Sequence, residues 1–391
     1  MTSTLSPEHQ VRSLLEEGVA QRVFPAAQAA AFHGGRLAFS TAAGSNAAGL
    51  VSDSTLFDLG SLTKIACTTT AFLSLWAEGK LDPETPLSRF FPRSPAGQAG
   101  VTLADLLYHR SGLPSFVPYF AKVMPAVPAL FDPRCPAAVR MDVRTTVVDA
   151  ASQQPLRRDP RTAAVYSDVG FILLGEVLSD AASDTLESVH EERVASRLEV
   201  DLHFRRLSQH TGDPPANVAA TGTIRPREHA PGQEGLWPPF PAPKASRAGE
   251  VDDDNAWVMD GVAGHAGLFG TALEVARFGQ RVIDEANGAG RIAPPELWAR
   301  AFQVDATVPG STRALGFDTP SPAGSSAGQY LGKPGPAVGH LGFSGVSLWI
   351  DLSRGLSVAL CTNRTYFGRA DGRIKDFRPR FHDLVVSALG G

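Results

Sequence analysis

The chain has 391 residues, 43% of them hydrophobic and 19% charged, with a formal net charge of −4. That balance belongs to a folded protein able to bury a sizeable core, and it excludes a disordered or fibrous chain. A slightly acidic chain without a basic run also excludes an electrostatic grip on nucleic acid or on an anionic membrane face.

Residues 1–11 lack a positive start leading into an apolar stretch, so no secretory leader is expected and the chain reads as cytoplasmic. Nowhere does an apolar run reach the roughly eighteen residues needed to span a membrane. Ser6-Pro7 offers an N-cap and a first-turn proline, and Val11, Leu14, Leu15 and Val19 follow at helical spacing, which predicts an amphipathic opening helix. Apolar runs at 26–32 and 36–42 flank His33-Gly34-Gly35; a Gly-Gly between such runs reads as a hairpin turn rather than an oxyanion loop.

Next comes Phe57-Asp58-Leu59-Gly60-Ser61-Leu62-Thr63-Lys64, running into an apolar, helix-forming stretch at 65–77 that Gly79 and Pro83 close. Thr102-Leu103-Ala104-Asp105 starts a short helix that Gly112 and Pro114 end. Frequent prolines predict an irregular loop over 116–136. Helix is expected over 145–153, broken by Asp159-Pro160, and over 169–178, directly after Tyr166-Ser167-Asp168.

Residues 213–248, centred on Trp237-Pro238-Pro239-Phe240-Pro241, predict a long surface excursion placed to cover a cleft and set substrate size. Helix returns over 273–287. Strand-like runs at 347–352 and 356–362, split by Ser353-Arg354-Gly355, predict a second hairpin. Pro379 suits the first turn of a closing helix that runs to about Leu389.

Strands at both ends and helices between them predict an α+β fold. An antiparallel sheet built from both termini, residues 1–63 with 250–391, is flanked by helices. A mainly helical lobe, 64–249, is inserted between the two parts, and a site is expected in the cleft between lobes. Cys67, Cys135 and Cys361, the three cysteines of the chain, are odd in number and lack C-x-x-C spacing. They predict buried free thiols, with neither a disulfide framework nor a zinc site.

Ser61 and Lys64 are three apart, so on a helix they share a face. A serine hydroxyl must pass its proton to a neighbour as it attacks, and a lysine accepts it when burial or nearby charge keeps its amine neutral. At a helix start, unpaired N–H groups also stabilise a developing oxyanion. The chain has six lysines, and Lys64 alone has a serine three positions before it.

Ser61-Leu62-Thr63-Lys64, Tyr166-Ser167-Asp168 and Gly339-His340-Leu341-Gly342-Phe343-Ser344-Gly345, in that order and at these separations, resemble the three motifs of the class C β-lactamase superfamily. D-alanyl-D-alanine carboxypeptidases, D-aminopeptidases and family VIII esterases are among its members. The blocks at 57–64, 102–114, 165–176 and 340–351 are similar as well. Asp253-Asp254-Asn255-Ala256 with Gly264-His265-Ala266-Gly267-Leu268-Phe269 resembles a subgroup of penicillin-binding-protein-like hydrolases.

The resemblance implies a β-lactamase/transpeptidase-like fold and a Ser61 acyl-enzyme formed without metal or cofactor. Lys64 and Tyr166 move the protons, Tyr166 acidified by neighbouring cations. The Ser61 and Phe343 backbone N–H groups form the oxyanion hole, and Gly342 lets the edge strand approach the substrate. Asp168, His340 and His265 are further substrate-site candidates, whereas His109 reads as structural.

Two departures bear on the substrate. Asp168 stands where these enzymes commonly carry asparagine, and an ionised carboxylate only accepts hydrogen bonds; it is placed to hold or orient Lys64. His340-Leu341-Gly342 replaces Lys-Thr/Ser-Gly, turning a fixed cation into a group expected to titrate near neutrality. Hydrolysis of a carboxylic ester or small amide is therefore favoured over efficient β-lactam destruction. The alternatives are a D-amino-acid peptidase or weak β-lactamase, and a non-catalytic binding protein on the same fold. Asp252-Asp253-Asp254 reads as a solvated turn or helix cap, and Gly324-Ser325-Ser326-Ala327-Gly328 lacks the strand–turn–helix setting of a nucleophile elbow.

Overall fold

The computed structural model describes residues 5–46, 49–210, 217–222, 224–225, 244–245 and 248–390. Ser6 accepts the His9 N–H at 3.3 Å and Pro7 opens α1 (Pro7–Ala20), which buries Val11, Leu14 and Leu15. The chain then runs through β1 (Ala26–His33), turns at Gly34-Gly35 and returns along β2 (Arg36–Asn46), bordered by β3 (Gly49–Leu50). β4 (Phe57–Asp58), β5 (His203–Phe204) and β6 (Leu268–Gly270) form a small sheet in the order β4-β6-β5.

β7 (Ala337–Leu341), β8 (Ser347–Asp351) and β9 (Leu356–Thr362) complete a six-stranded antiparallel sheet in the order β3-β2-β1-β9-β8-β7. The central seam joins the two ends of the chain, with Ala27 opposite Thr362 and His33 opposite Leu356. Five of the eight residues of β1 are alanine; both its faces are buried, and small side chains let two helix layers approach it. Ala27, Ala29 and Ala31 pack with α1 and with the closing helix, while Ala26 and Ala30 join the larger core on the other face. Gln28, buried on that second face, is satisfied: its amide donates to Thr55 O at 2.9 Å and accepts the Ala272 N–H at 2.9 Å. Together the layers give mixed helix and antiparallel sheet, with the sheet drawn from both termini.

The helices packed around these sheets include α2 (Thr70–Ala77), α3 (Leu103–Leu107), α4 (Phe120–Ala126), α5 (Ala137–Ser152), α6 (Asp168–Ala182), α7 (Asp254–Val258), α8 (Ala272–Ala286) and α9 (Ile374–Ala388). Thr102 and Asp105 form a reciprocal capping box on α3.

Several elements differ from expectation. Proline count made 116–136 a loop, yet α4 lies there, because burial of Phe120, Val123 and Met124 outweighs Pro125 within it. α5 begins eight residues earlier than predicted, and α3 ends at Leu107, with His109 at φ +57°, ahead of Gly112. Pro379 lies inside α9 rather than in its first turn, and the buried Ile374, Phe377 and Phe381 hold the turn that precedes it.

Within the proline-rich stretch, Val218 and Ala219 are buried and bridge Leu56, so that portion is core and not surface excursion. Most of the remainder, with Trp237 and its neighbouring prolines, lies outside the described residues. All three cysteines are buried free thiols.

Candidate active site

β4 delivers the chain into a tight turn. Residues Gly60–Leu62 are wound as a 3-10 turn, Lys64–Thr69 as a π turn, and α2 continues from there. Ser61 and Lys64 share a face as their spacing predicted, although the helix that carries them is first overwound and then underwound. Gly60 has φ +50°, and a Cβ there would lie 3.4 Å from the Phe343 nitrogen, so the Ser61 turn and the end of β7 are in close contact. The Asp58 carboxylate fastens this turn by accepting the Gly60 N–H at 2.8 Å and the Asp252 N–H at 2.6 Å. Ser344 Oγ donates to the Asp58 carbonyl at 2.7 Å. Burial, with Asp252 beside it, pushes the Asp58 carboxyl up to about 7.

Tyr166 arrives from the loop before α6. Ser167 caps that helix by accepting the Gly170 N–H at 3.2 Å, donates its hydroxyl to Pro114 O at 2.7 Å, and gives its own N–H to His109 Nδ1 at 3.0 Å. The His109 ring also packs on Tyr166 at 4.7 Å between centroids. It therefore supports the tyrosine from behind, a structural position.

Ser61 Oγ lies 3.0 Å from Lys64 Nζ and 2.7 Å from Tyr166 Oη. Lys64, whose side chain is 0% exposed, also donates to Asp168 Oδ1 at 2.7 Å and to the His265 carbonyl at 3.0 Å. Burial pulls its amine below the usual lysine range, against the opposing pull of Asp168 and Asp253. A neutral amine has two N–H bonds and one lone pair, and this site offers two acceptors and one hydroxyl.

Tyr166 departs from expectation. Burial, reinforced by Asp168, raises its phenol well above the ordinary tyrosine value, so neighbouring cations do not acidify it. It stays protonated and donates to Ser61 Oγ.

The Ser61 and Phe343 N–H groups have no protein acceptor among the described residues, and both residues line one cleft of about 590 Å³. Gly342 is required by packing: a Cβ there would stand 2.7 Å from Leu59 O and 2.3 Å from Val346 Cγ2. The close approach at Gly342 is to the chain entering the Ser61 turn.

His340 lines the cleft, but burial, with Lys64 and Arg313 adding to it, holds its imidazole well below the usual histidine value. Its Nδ1 is 2.7 Å from Leu341 O, which makes Nδ1 the protonated nitrogen and leaves Nε2 a buried acceptor without a partner among the described residues. The expected titration near neutrality is therefore corrected: His340 is neutral across that range.

His265 is also corrected. Its ring is buried and turned against Asp253 at 3.0 Å, and only its carbonyl meets Lys64. Of the two readings of the acidic run, the structure shows the helix cap and not the solvated turn. Asp253 caps α7, and Asp252 and Asp254 are buried beside Arg369.

Other cleft residues escaped sequence reading. Asp58 and Asp253 lie within quoted blocks, where nothing in a single sequence separates structural from chemical carboxylates. Phe116 stands half-exposed at the cleft mouth, as does the ring of Phe343, of which the resemblance singles out the backbone N–H alone, with Arg364 4.4 Å over that ring. No group of three or more His, Cys, Asp or Glu suited to a metal occurs among the described residues.

Residues 11–378 match the family model described as Beta-lactamase. The chain belongs to the Beta-lactamase family. A similar relative of this Beta-lactamase family chain is the N-acetylmuramyl-L-alanine amidase of Bacillus subtilis (strain 168), 29% identical over 325 residues, 80% of this chain and 68% of that protein. Among solved structures, the penicillin-binding protein homologue from Caulobacter crescentus superimposes with a TM-score of 0.68 at 20% identity, covering 99% of both chains. The D-amino acid amidase from Ochrobactrum anthropi SV3, complexed with L-phenylalanine amide, gives 0.67 at 20% identity over 98% of both. At that identity the structures establish the shared fold, and the family membership makes the chain a serine hydrolase. No helix among the described residues is long and apolar enough to cross a membrane.

Proposed function

We propose that this chain hydrolyses small amides or carboxylic esters through an acyl-enzyme on Ser61. The observation that carries the reading is the bracketing of Ser61 Oγ, 3.0 Å from Lys64 Nζ and 2.7 Å from Tyr166 Oη. In this mechanism the Ser61 hydroxyl donates to the neutral Lys64 amine and attacks the substrate carbonyl as its proton moves to Nζ. The Ser61 and Phe343 N–H groups receive the oxyanion. Tyr166 gives its proton to the leaving group and regains one from Lys64, so a buried phenolate never persists. Water then hydrolyses the ester, with the same groups acting in reverse.

A tyrosine held protonated favours amides within this reading. An amine leaves only when protonated, whereas an activated phenol ester leaves unaided. The names of the Bacillus subtilis and Ochrobactrum anthropi relatives, both amidases, point the same way. β-Lactams are disfavoured because neutral His340 replaces the cation of the third motif. Tyr166→Phe is expected to lower kcat/KM on a D-alanine p-nitroanilide about 10²- to 10³-fold, the usual worth of a positioned proton donor. Acylation by p-nitrophenyl acetate should fall much less. Equal losses on both substrates would remove the leaving-group role.

Asp168 supplies a pH test. Its charge raises the Lys64 amine, and activity requires that amine neutral, so the acid limb of kcat/KM lies at the Lys64 titration. Asp168→Asn removes the negative charge, lowers the amine further and is expected to move the limb to lower pH. A limb that stays in place or moves up would show that Lys64 is not the titrating base.

A further inference from the structure

We propose that Arg378, a buried residue of α9, is a positioning residue that strengthens the Phe343 N–H as an oxyanion donor by polarising the peptide that carries it. This inference rests on the Ser61 acyl-enzyme reading. The Gly342–Phe343 peptide has its carbonyl on Gly342 and its N–H on Phe343, and Arg378 Nη2 donates to that carbonyl at 2.7 Å. The same nitrogen donates to Val346 O at 2.8 Å. Gly342 and Val346 are also bridged by a backbone bond of 2.8 Å, and the Gly345 N–H reaches Gly342 O at 3.1 Å. The guanidinium therefore clamps the hairpin turn between β7 and β8 from beneath.

Arg378 makes no ion pair among the described residues, although it is only 7% exposed, and its Nε has no partner there. Burying a guanidinium without a carboxylate costs several kcal/mol. Two carbonyls can be satisfied by a neutral amide donor at a fraction of that cost. What only the cation adds is charge. A peptide is a resonance-coupled unit, so a cation at its oxygen draws electron density away from its nitrogen and makes the N–H a stronger donor. Bonds to an ionised donor are also roughly twice as strong as neutral ones. The gain grows with negative charge on the acceptor, so it favours the tetrahedral state over bound substrate.

The test uses benzeneboronic acid, which forms an anionic tetrahedral adduct with a nucleophilic serine and places a boron-bound hydroxyl oxygen in the oxyanion site. Inhibition of p-nitrophenyl acetate hydrolysis is measured for wild type, Arg378→Gln and Arg378→Lys, with a thermal melt of each. For Arg378→Gln, kcat and boronate affinity should each fall about tenfold, a fraction of the 10²–10³ lost when an oxyanion donor is removed outright. KM should stay within about twofold. A folded Arg378→Gln with kcat and boronate affinity within about twofold of wild type overturns the proposal, as does a loss confined to KM.

Should Arg378→Gln fail to fold, Arg378→Lys carries the test. A buried amine beside Arg364 titrates at lower pH than a guanidinium. Boronate affinity relative to wild type should then show a new loss at alkaline pH, and a ratio flat with pH overturns the proposal. Wild type that neither acylates on mixing with p-nitrophenyl acetate nor binds the boronate would instead overturn the Ser61 reading and this inference with it.

Discussion

Ser61→Ala is expected to abolish turnover, with kcat/KM falling at least about 10⁴-fold on any substrate that wild type accepts, roughly 5.5 kcal/mol of transition-state stabilisation. Under the proposed mechanism the methyl group removes the hydroxyl that lies beside Lys64 and Tyr166 and leaves the rest of the cleft in place. Intact mass after mixing with p-nitrophenyl acetate, p-nitrophenyl butyrate, nitrocefin and a D-alanyl-D-alanine peptide should show an acyl adduct on wild type and none on the variant. Parallel product release ranks the substrates. The amide reading expects the peptide or another small amide to outrank nitrocefin. Turnover that survives in Ser61→Ala at near wild-type rate would place the nucleophile elsewhere. Wild type unlabelled even by a serine-directed fluorophosphonate would favour a protein that uses the cleft only to bind.

The second large effect is at Lys64. Lys64→Met should lower kcat/KM by about 10³- to 10⁴-fold, because the Ser61 proton then has no acceptor. Lys64→Arg separates base from charge. A guanidinium can still donate to Asp168, which lies 2.7 Å from Nζ in wild type, but does not deprotonate in the working range. A loss in Lys64→Arg as large as in Lys64→Met identifies the amine as a base. Near-normal activity in Lys64→Arg would mean that a cation at this position suffices and that the proton goes elsewhere. Thermal melts of both variants separate these outcomes from unfolding.

The sequence exposed the parts of this protein that depend on local chemistry. Ser6-Pro7, Gly34-Gly35 and the two strand-like runs split by Ser353-Arg354-Gly355 are short-range signals, and the elements stand where those signals put them. Three motifs far apart in the chain were enough to identify the fold. Cases where burial overrides a local rule were hidden. The prolines within α4 and α9 are held by apolar neighbours that no local signal weighs. The acidic run reads as a solvated turn or a helix cap; Asp253 is the cap, and the burial of Asp252 and Asp254 beside Arg369 is what the local pattern left out. Charge states were hidden for the same reason: Tyr166 and His340 take theirs from desolvation, and desolvation belongs to the folded cleft. Arg378 carried no signal at all, since its partners are carbonyls of another segment.

The seam that pairs Ala27 with Thr362 has a consequence during synthesis. At the usual pace of about 5–20 residues per second, the ribosome needs roughly 16–70 s to make the stretch between those two strands. For all that time β1 has one hydrogen-bonding edge occupied by β2 and the other open, along a run of alanines with no charge to blunt it. An open apolar edge is a template for pairing with another chain. Until β9 is made and pairs with it, that edge of β1 stays open to pairing with a second chain.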